Sequence, residues 1–496
     1  MFDEKTSPQG PPALATGAAA AGSPEAAIPL GPLAPARERF RIPSMRIELG
    51  ARAGGVALGS IVLGALAVVV FASAAPSSLV PHSGRLFPTW EAGPLGGLFG
   101  HPSLAPHALT ALYSALLVVM TIAYGAALLA ARSVSRRAVL GFVLAVSLIM
   151  LASPPLQLTD LFNYIGYARL GGLHALNPYS HVIDNESWDP VFRFTTWHHL
   201  SSPYGPLFTA FSYPLAWLPL PLAYWTLKLA MVASGLAFIW LVWRCATLLE
   251  LDPRPAVLFV AASPLYVFFA LGGFHNDFLM LVPSTAAIAL LLGHRDKAAG
   301  VSLAVAVSIK FSAIVLLPFL LLAARPPARR RRLLAGLALA AVPLVALSIA
   351  LFGLTPPNLS GQHGVVTGFS VPNLAGLALG LGGSTTGLLR LINVLLVALV
   401  LMLMRRPREW IAGAGWATLA LVASVAWLMP WYLVWVLPLA ALGRSAALRR
   451  ATLAFTVFLV LTFIPETSVL IGRYGLNPMS TATGQAALKL QEKLQK

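Results

Sequence analysis

The sequence predicts an all-α polytopic membrane protein, and three observations carry that prediction. Of the 496 residues, 57% are hydrophobic and only 10% are charged, whereas a soluble domain carries about a quarter charged residues. The mean hydropathy is +0.78. The basic residues fall in short clusters between apolar segments: Arg132, Arg136 and Arg137; Arg325 and Arg329 to Arg332; Arg405, Arg406 and Arg408; Arg444, Arg449 and Arg450. That is the pattern of cytoplasmic loops in a membrane protein. In hydrocarbon each span must close its own backbone hydrogen bonds, which requires helices of roughly 20 apolar residues. The net charge of +17 therefore reports topology rather than a nucleic-acid face. Membrane lipids, not nucleic acid, are the expected surroundings.

Placing each basic cluster on the cytoplasmic side orders the elements. Residues 1–43 are rich in Ala, Pro and Gly and read as a disordered cytoplasmic tail. The first apolar run begins only near residue 54, so no cleavable signal peptide is expected. Segment 54–75 runs outward after Arg46 and Arg52, and 108–131 returns to Arg132. Segment 138–153 runs outward and delivers Pro154, Pro155 and Asp160 to the outer face, where a long loop, 154–203, begins. Pro203 to Pro219 is too short to span and reads as a re-entrant or interfacial helix. Segment 222–243 returns to Arg244, 255–271 goes out to Gly272 and Gly273, and 278–293 comes back to His294-Arg295. Two short pieces, 298–309 and 311–324, hairpin around Lys310. Segments 333–353, 386–404, 410–428, 432–443 and 451–465 complete a bundle of about 13 spans. The membrane domain is thus 44–465, followed by a C-terminal tail, 466–496.

The sharpest candidate is Asp160, because a carboxylate at the apolar edge of a bilayer is costly and marks function by default. If 160–170 is helical, Asp160, Asn163, Tyr164 and Tyr167 share one face at i, i+3, i+4 and i+7, with Leu161, Phe162 and Ile165 on the other. Thr159 is placed to cap that helix, and the dipole favours an ionised Asp160 in its first turn. A helix-start role alone would also explain the residue. The loop continues with His174, Asn177-Pro178-Tyr179, Trp188, Trp197, His198, His199 and Ser202-Pro203-Tyr204-Gly205-Pro206. Rings of this kind stack on sugars and amides bond hydroxyls, although Trp and Tyr also gather at membrane interfaces. His174, His181, His198 and His199 lack metal-ligand spacing, and Cys245 is the only cysteine, so neither a metal site nor a disulfide is expected. His275-Asn276-Asp277 follows a Gly-Gly hinge and suits either sugar binding or a helix cap. Lys310 is a lone cation in apolar sequence, satisfied by a phosphate at the membrane edge or by snorkelling to headgroups. Arg390 is a second such cation. His363, in a later outer loop, and Trp431 and Tyr432, after Pro430, are further candidate sugar contacts.

These motifs resemble a known family. An acidic residue early in a large outer loop, a many-helix bundle and a re-entrant helix look like the GT-C glycosyltransferases. More narrowly, the Asp160-Leu-Phe-Asn-Tyr, Asn177-Pro178-Tyr179, Ser202-Pro203-Tyr204-Gly205-Pro206, His275-Asn276-Asp277 and Pro430-Trp431-Tyr432 segments resemble the bacterial, MptB-like alpha-mannosyltransferases that use polyprenyl-phosphate mannose. The loop has Asn177 where that family's pattern suggests Asp. The resemblance implies a GT-C-type bundle with an outer-face active site. It implies sugar transfer, mannose foremost, from a polyprenyl-phosphate donor to a glycan or glycolipid acceptor, with inversion and without cofactor or metal. Asp160 maps to the general base, Lys310 or Arg390 to the donor-phosphate cation, and the Asn, Tyr, His and Trp residues above to sugar or acceptor contacts. The competing class is a polyprenyl-linked sugar flippase or another transporter, which would place charge in mid-membrane and open on both faces.

Overall fold

Where apolar runs are long and unbroken, single helices form. The computed structural model describes residues 48–357 and 364–496; the expected tail at 1–43 and His363 lie outside the described residues. The first half comprises α1 (Ala51–Ala74), a short α2 (Thr89–Ala92), α3 (Pro106–Leu129), α4 (Arg136–Ala152), α5 (Asp160–Gly172), α6 (Pro206–Ser212), α7 (Leu220–Leu248), α8 (Pro253–Ala261), α9 (Asp277–Leu292) and α10 (Asp296–Ile309). The second comprises α11 (Leu317–Ala323), α12 (Pro327–Phe352), α13 (Val371–Ala378), α14 (Thr386–Leu403), α15 (Trp410–Ser424), α16 (Leu437–Leu442), α17 (Ala446–Phe463), α18 (Pro465–Arg473) and α19 (Ala482–Gln495). Among the described residues there is no named strand.

Six helices, α1, α3, α7, α12, α14 and α17, are long and apolar enough to cross a membrane. A seventh span is counted if α8 and the π-helical turn Leu265–Leu271, bent by 53° at Ser263-Pro264, are one. This is fewer than the roughly 13 segments expected from apolar runs. The difference has a local cause. Lys310, Pro264 and Pro430 interrupt apolar stretches, and Asp277–Leu292, Phe311–Ala323 and Pro430–Leu442 remain as shorter apolar helical pieces. Residues of the three shorter pieces line part of the cavity described below.

Helix packing follows small residues. Gly300 of α10 and Gly336 of α12 each lie where a Cβ would meet the partner's backbone, 2.0 Å from Leu333 O and 1.9 Å from Lys297 O. Close backbone approach of this kind is how helices associate in lipid. At the base of the same crossing Asp296 accepts from Arg329 Nε and Nη2 and from Arg332 Nε. The chain leaving at Asp296 therefore returns to the same end by Arg329, with Lys310 near the turning point, as the hairpin reading expects. Arg254 likewise donates to Arg132 O and Val134 O, drawing the α3–α4 and α7–α8 turns to one end of the bundle.

Residues 466–496, the expected C-terminal tail, are largely helical. Met479 and Ala487 pack with Val366 and Ala426, and Leu494 O accepts from His199 N–H at 3.0 Å. The end of the chain thus lies against the loop that follows α5.

Candidate active site

Asp160 opens α5 after a seven-residue strap, 153–159, whose paired prolines stop α4. The strap is tied at Leu156 N–H to Gly272 O and at Gln157 N–H to Leu79 O, both 2.9 Å. Thr159 takes the N-cap position, but its hydroxyl meets that of Thr196 and caps no helix N–H. Its expected capping bond is therefore absent. The predicted helix face holds. Asp160, Asn163, Tyr164 and Tyr167 all line one cavity of about 640 Å³, while Leu161, Phe162 and Ile165 sit in the core. Phe162 stacks between Phe194 and Tyr224, which fixes the rotation of α5.

Opposite α5, the turn before α9 contributes three consecutive groups. The His275 ring lies flat on Trp431, with centroids 3.8 Å apart and planes 9° apart, and its Nδ1 is 3.3 Å from Asp160 Oδ2. Asn276 donates its backbone N–H to Tyr164 Oη at 3.2 Å. Asp277 Oδ1 accepts from Lys310 Nζ at 2.7 Å and from Trp435 Nε1 at 2.6 Å. Lys310 sits in extended backbone at the break between α10 and a 3-10 turn, Phe311–Leu316, with its Nζ about 5 Å from the Tyr432 and Trp435 ring centroids. That position answers the cost of a lone cation in apolar sequence with a carboxylate rather than with headgroups.

Gly205 explains why the Tyr-Gly-Pro segment borders the same site. Its N–H donates to Ile309 O at 3.0 Å, and a Cβ there would stand 2.2 Å from Ser308 O. Only glycine lets α6 begin directly against the end of α10, next to Lys310. Tyr204 lies edge-on to Tyr164 and shares the cavity wall.

The cavity has two characters. Its polar end carries Asp160, His275, Asn276, Asp277 and Lys310 under an aromatic rim of Trp431, Tyr432 and Trp435. Its other side is apolar, built from Leu396, Val397, Val400 and Leu401 of α14, Leu421 of α15, and Val425, Ile314 and Pro318. At the polar end the Asn276 side-chain amide, Asn163 Nδ2 and His275 Nε2 are buried and have no hydrogen-bond partner in the protein. Buried polar groups in folded proteins are normally bonded, so these groups are set for a ligand rich in donors and acceptors.

Some expected residues lie elsewhere. Asn177 donates to Phe352 O and accepts from Tyr179 N–H, and Tyr179 donates its hydroxyl to Tyr204 O and Thr209 Oγ1. The Asn-Pro-Tyr segment is thus used to brace the loop, and neither side chain reaches the cavity wall. Arg390 is exposed on α14 and is not part of the wall. Conversely, Trp427, Trp435 and Ser312 line the cavity without having been singled out from sequence. Trp435 was legible as the third aromatic ring of Pro-Trp-Tyr-Leu-Val-Trp, five residues beyond Pro430 in a helical stretch.

The histidines of the loop serve packing and ion pairs. Asp189 accepts from Arg169 Nε and pairs with His174 Nε2, each at 2.8 Å. Burial raises its carboxyl, but bonds from His174, Val191 N–H and Arg169 outweigh that and hold it below the ordinary range. His198 stacks on Phe192, and burial pushes its imidazole down. Among the described residues no group of three or more His, Cys, Asp or Glu side chains is placed to hold a metal ion.

Comparison with known proteins identifies the family of the chain. The family model described as alpha-(1->6)-mannopyranosyltransferase, N-terminal domain, matches residues 59–326, and the MptB C-terminal domain matches 365–490. Alpha-(1->6)-mannopyranosyltransferase A of Mycobacterium tuberculosis is 28% identical over 360 residues, covering 64% of this chain and 68% of that one. A second alpha-(1->6)-mannopyranosyltransferase of the same organism is 26% identical over 394 residues, covering 62% and 66%. The chain therefore spans about two thirds of the length of these relatives. No solved structure matches. With matched segments reaching from α1 to α19 and helices built for a bilayer, the chain belongs to the MptA/MptB family of membrane alpha-mannosyltransferases.

Proposed function

We propose that this protein transfers mannose from a polyprenyl-phosphate donor to a hydroxyl of a glycan or glycolipid on the outer face of the membrane, with Asp160 as general base. The observation that carries the reading is the single cavity in which an acid–cation polar end adjoins an apolar flank. Such a cavity suits a substrate that is carbohydrate and phosphate at one end and hydrocarbon at the other. The relatives' names add an alpha-(1->6) linkage to the expectation for this chain.

The reaction is a single displacement with inversion. The acceptor oxygen attacks the anomeric carbon as the carbon–oxygen bond to phosphate breaks, and the acceptor proton passes to Asp160. A beta-linked donor then yields an alpha product. Polyprenyl phosphate leaves with the bonding pair, and Lys310 stabilises its charge. Inversion is favoured because Asp277, the other carboxylate in the wall, is committed to Lys310 and Trp435 rather than free to act as a nucleophile. Asn163, Asn276 and His275 hold the sugar hydroxyls, with Tyr164, Tyr167, Tyr204, Trp431 and Tyr432 shaping the walls. Basic turns at the end of α4 opposite Asp160 support an outer-face site and a cytoplasmic N-terminus.

The test is transfer in membranes supplied with labelled polyprenyl-phosphate mannose. Wild type is expected to label an acceptor and release free polyprenyl phosphate, with turnover insensitive to EDTA. Asp160→Asn is expected to lose at least about a hundredfold. Equal labelling by both would remove Asp160 from the mechanism. Movement of intact donor without release of polyprenyl phosphate would instead indicate a carrier.

A further inference from the structure

Lys228 lies in the third turn of α7 and is fully buried, at 0% exposure. An ionisable group at such a position in a span marks function by default, yet it forms no part of the cavity wall. Its Nζ donates to Ser153 O at 2.6 Å and stands 4.0 Å from the Trp225 ring centroid and 4.8 Å from that of Phe274. Ser153 begins the strap that delivers Asp160, and Phe274 immediately precedes His275. Both segments carry a non-glycine residue in the left-handed region, Gln157 at φ +69° and Phe274 at φ +51°. Conformations of that kind persist only where the surroundings hold them, and they gather at functional sites. The two segments are also joined directly, Leu156 N–H to Gly272 O. Glu91 of α2, itself fully buried and paired with His82 at 2.5 Å, lies against the same stretch of α7, where Tyr224 donates its hydroxyl to Glu91 O at 3.1 Å.

We infer that Lys228 is a positioning residue for mannosyl transfer: its Nζ holds the 153–159 strap and the 272–275 turn in register, so that Asp160 and His275 face the cavity together. This rests on the proposed role of Asp160. Lys228 itself touches no cavity group and acts through Ser153 and Phe274.

The experiment compares purified wild type, Lys228→Met, Lys228→Met/Glu91→Gln, in which both buried ionisable groups are removed, and Asp160→Asn. Readouts are steady-state transfer from labelled polyprenyl-phosphate mannose and hydrogen exchange by peptide. Misplacement of reacting groups by about an ångström can cost on the order of a hundredfold. The Lys228 variants are therefore expected to lose about that much kcat while keeping the donor KM. Faster exchange should be confined to 153–160 and 272–276. A folded variant with wild-type kcat, or one altered only in donor KM, overturns the inference. So does failure of both Lys228 variants to fold, which would make Lys228 a folding residue. Full turnover by Asp160→Asn sinks the site reading itself, whatever Lys228 does; an inactive Asp160→Asn beside a fully active Lys228→Met sinks only the positioning role.

Discussion

Lys310 makes the most discriminating perturbation, because its structural and its functional roles have different magnitudes and different rescues. The Lys310–Asp277 contact is 2.7 Å, with the side chains 19% and 2% exposed. At an effective dielectric of about 20 such a pair attracts by roughly 6 kcal/mol, much of which desolvation cancels. Removing one partner of a buried pair nevertheless costs about 3–5 kcal/mol, since the other charge is left uncompensated. Trp435 still donates to Asp277 Oδ1, which places Lys310→Met near the lower end, about 3 kcal/mol. The Lys310→Met/Asp277→Asn pair removes both charges and should recover most of that loss, a coupling visible in thermal unfolding of the purified protein. Function should not recover. A charge-assisted hydrogen bond to the donor phosphate is worth about 1.5–3 kcal/mol, so both variants should show a donor KM raised about tenfold to a hundredfold. A Lys310→Met protein that is less stable but keeps its donor KM and kcat would refute the phosphate role and leave Lys310 as a structural partner of Asp277.

Gly205→Ala forces a Cβ against backbone at Ser308 and Ile309, where no rotamer change gives relief; a loss of about 1–3 kcal/mol and weakened donor binding through a displaced Lys310 are expected, measured by unfolding and by donor KM. Asp189 is held below its ordinary value of 3.8, so the stability it contributes is complete above that value and is lost as pH falls through its lower folded value. Asp189→Asn should therefore open the 173–200 loop to protease at neutral pH and flatten the acid-dependent opening of wild type. Tyr179→Phe should cost about 1 kcal/mol through its lost bonds to Tyr204 and Thr209 with donor KM unchanged; a raised donor KM would return Tyr179 to the sugar site.

Composition and periodicity alone determined the class of this protein. Apolar runs of about 20 residues in water-free surroundings close their backbone hydrogen bonds as helices, whereas the strands of a barrel would be short and alternate apolar with polar residues. Local spacing also determined the face of α5, because i, i+3, i+4, i+7 is a property of any helix; Asp160, Asn163, Tyr164 and Tyr167 reach the cavity as that spacing requires. What distant segments do to one another was not legible. Asn177 and Tyr179 look like sugar contacts until the loop folds back and their polar atoms meet Phe352, Tyr204 and Thr209. Arg390 looks like a phosphate cation until α14 is seen to present it away from the cavity wall. Lys310 invites a phosphate or a headgroup until Asp277, 33 residues away in sequence, arrives at 2.7 Å. Lys228 carries no motif, because its meaning lies in the Ser153 carbonyl and the Phe274 ring that distant segments bring to it. Residue type and spacing set which groups a chain can offer. Desolvation and partner geometry, which exist only once helices pack, decide which of those groups remain unsatisfied and available for chemistry.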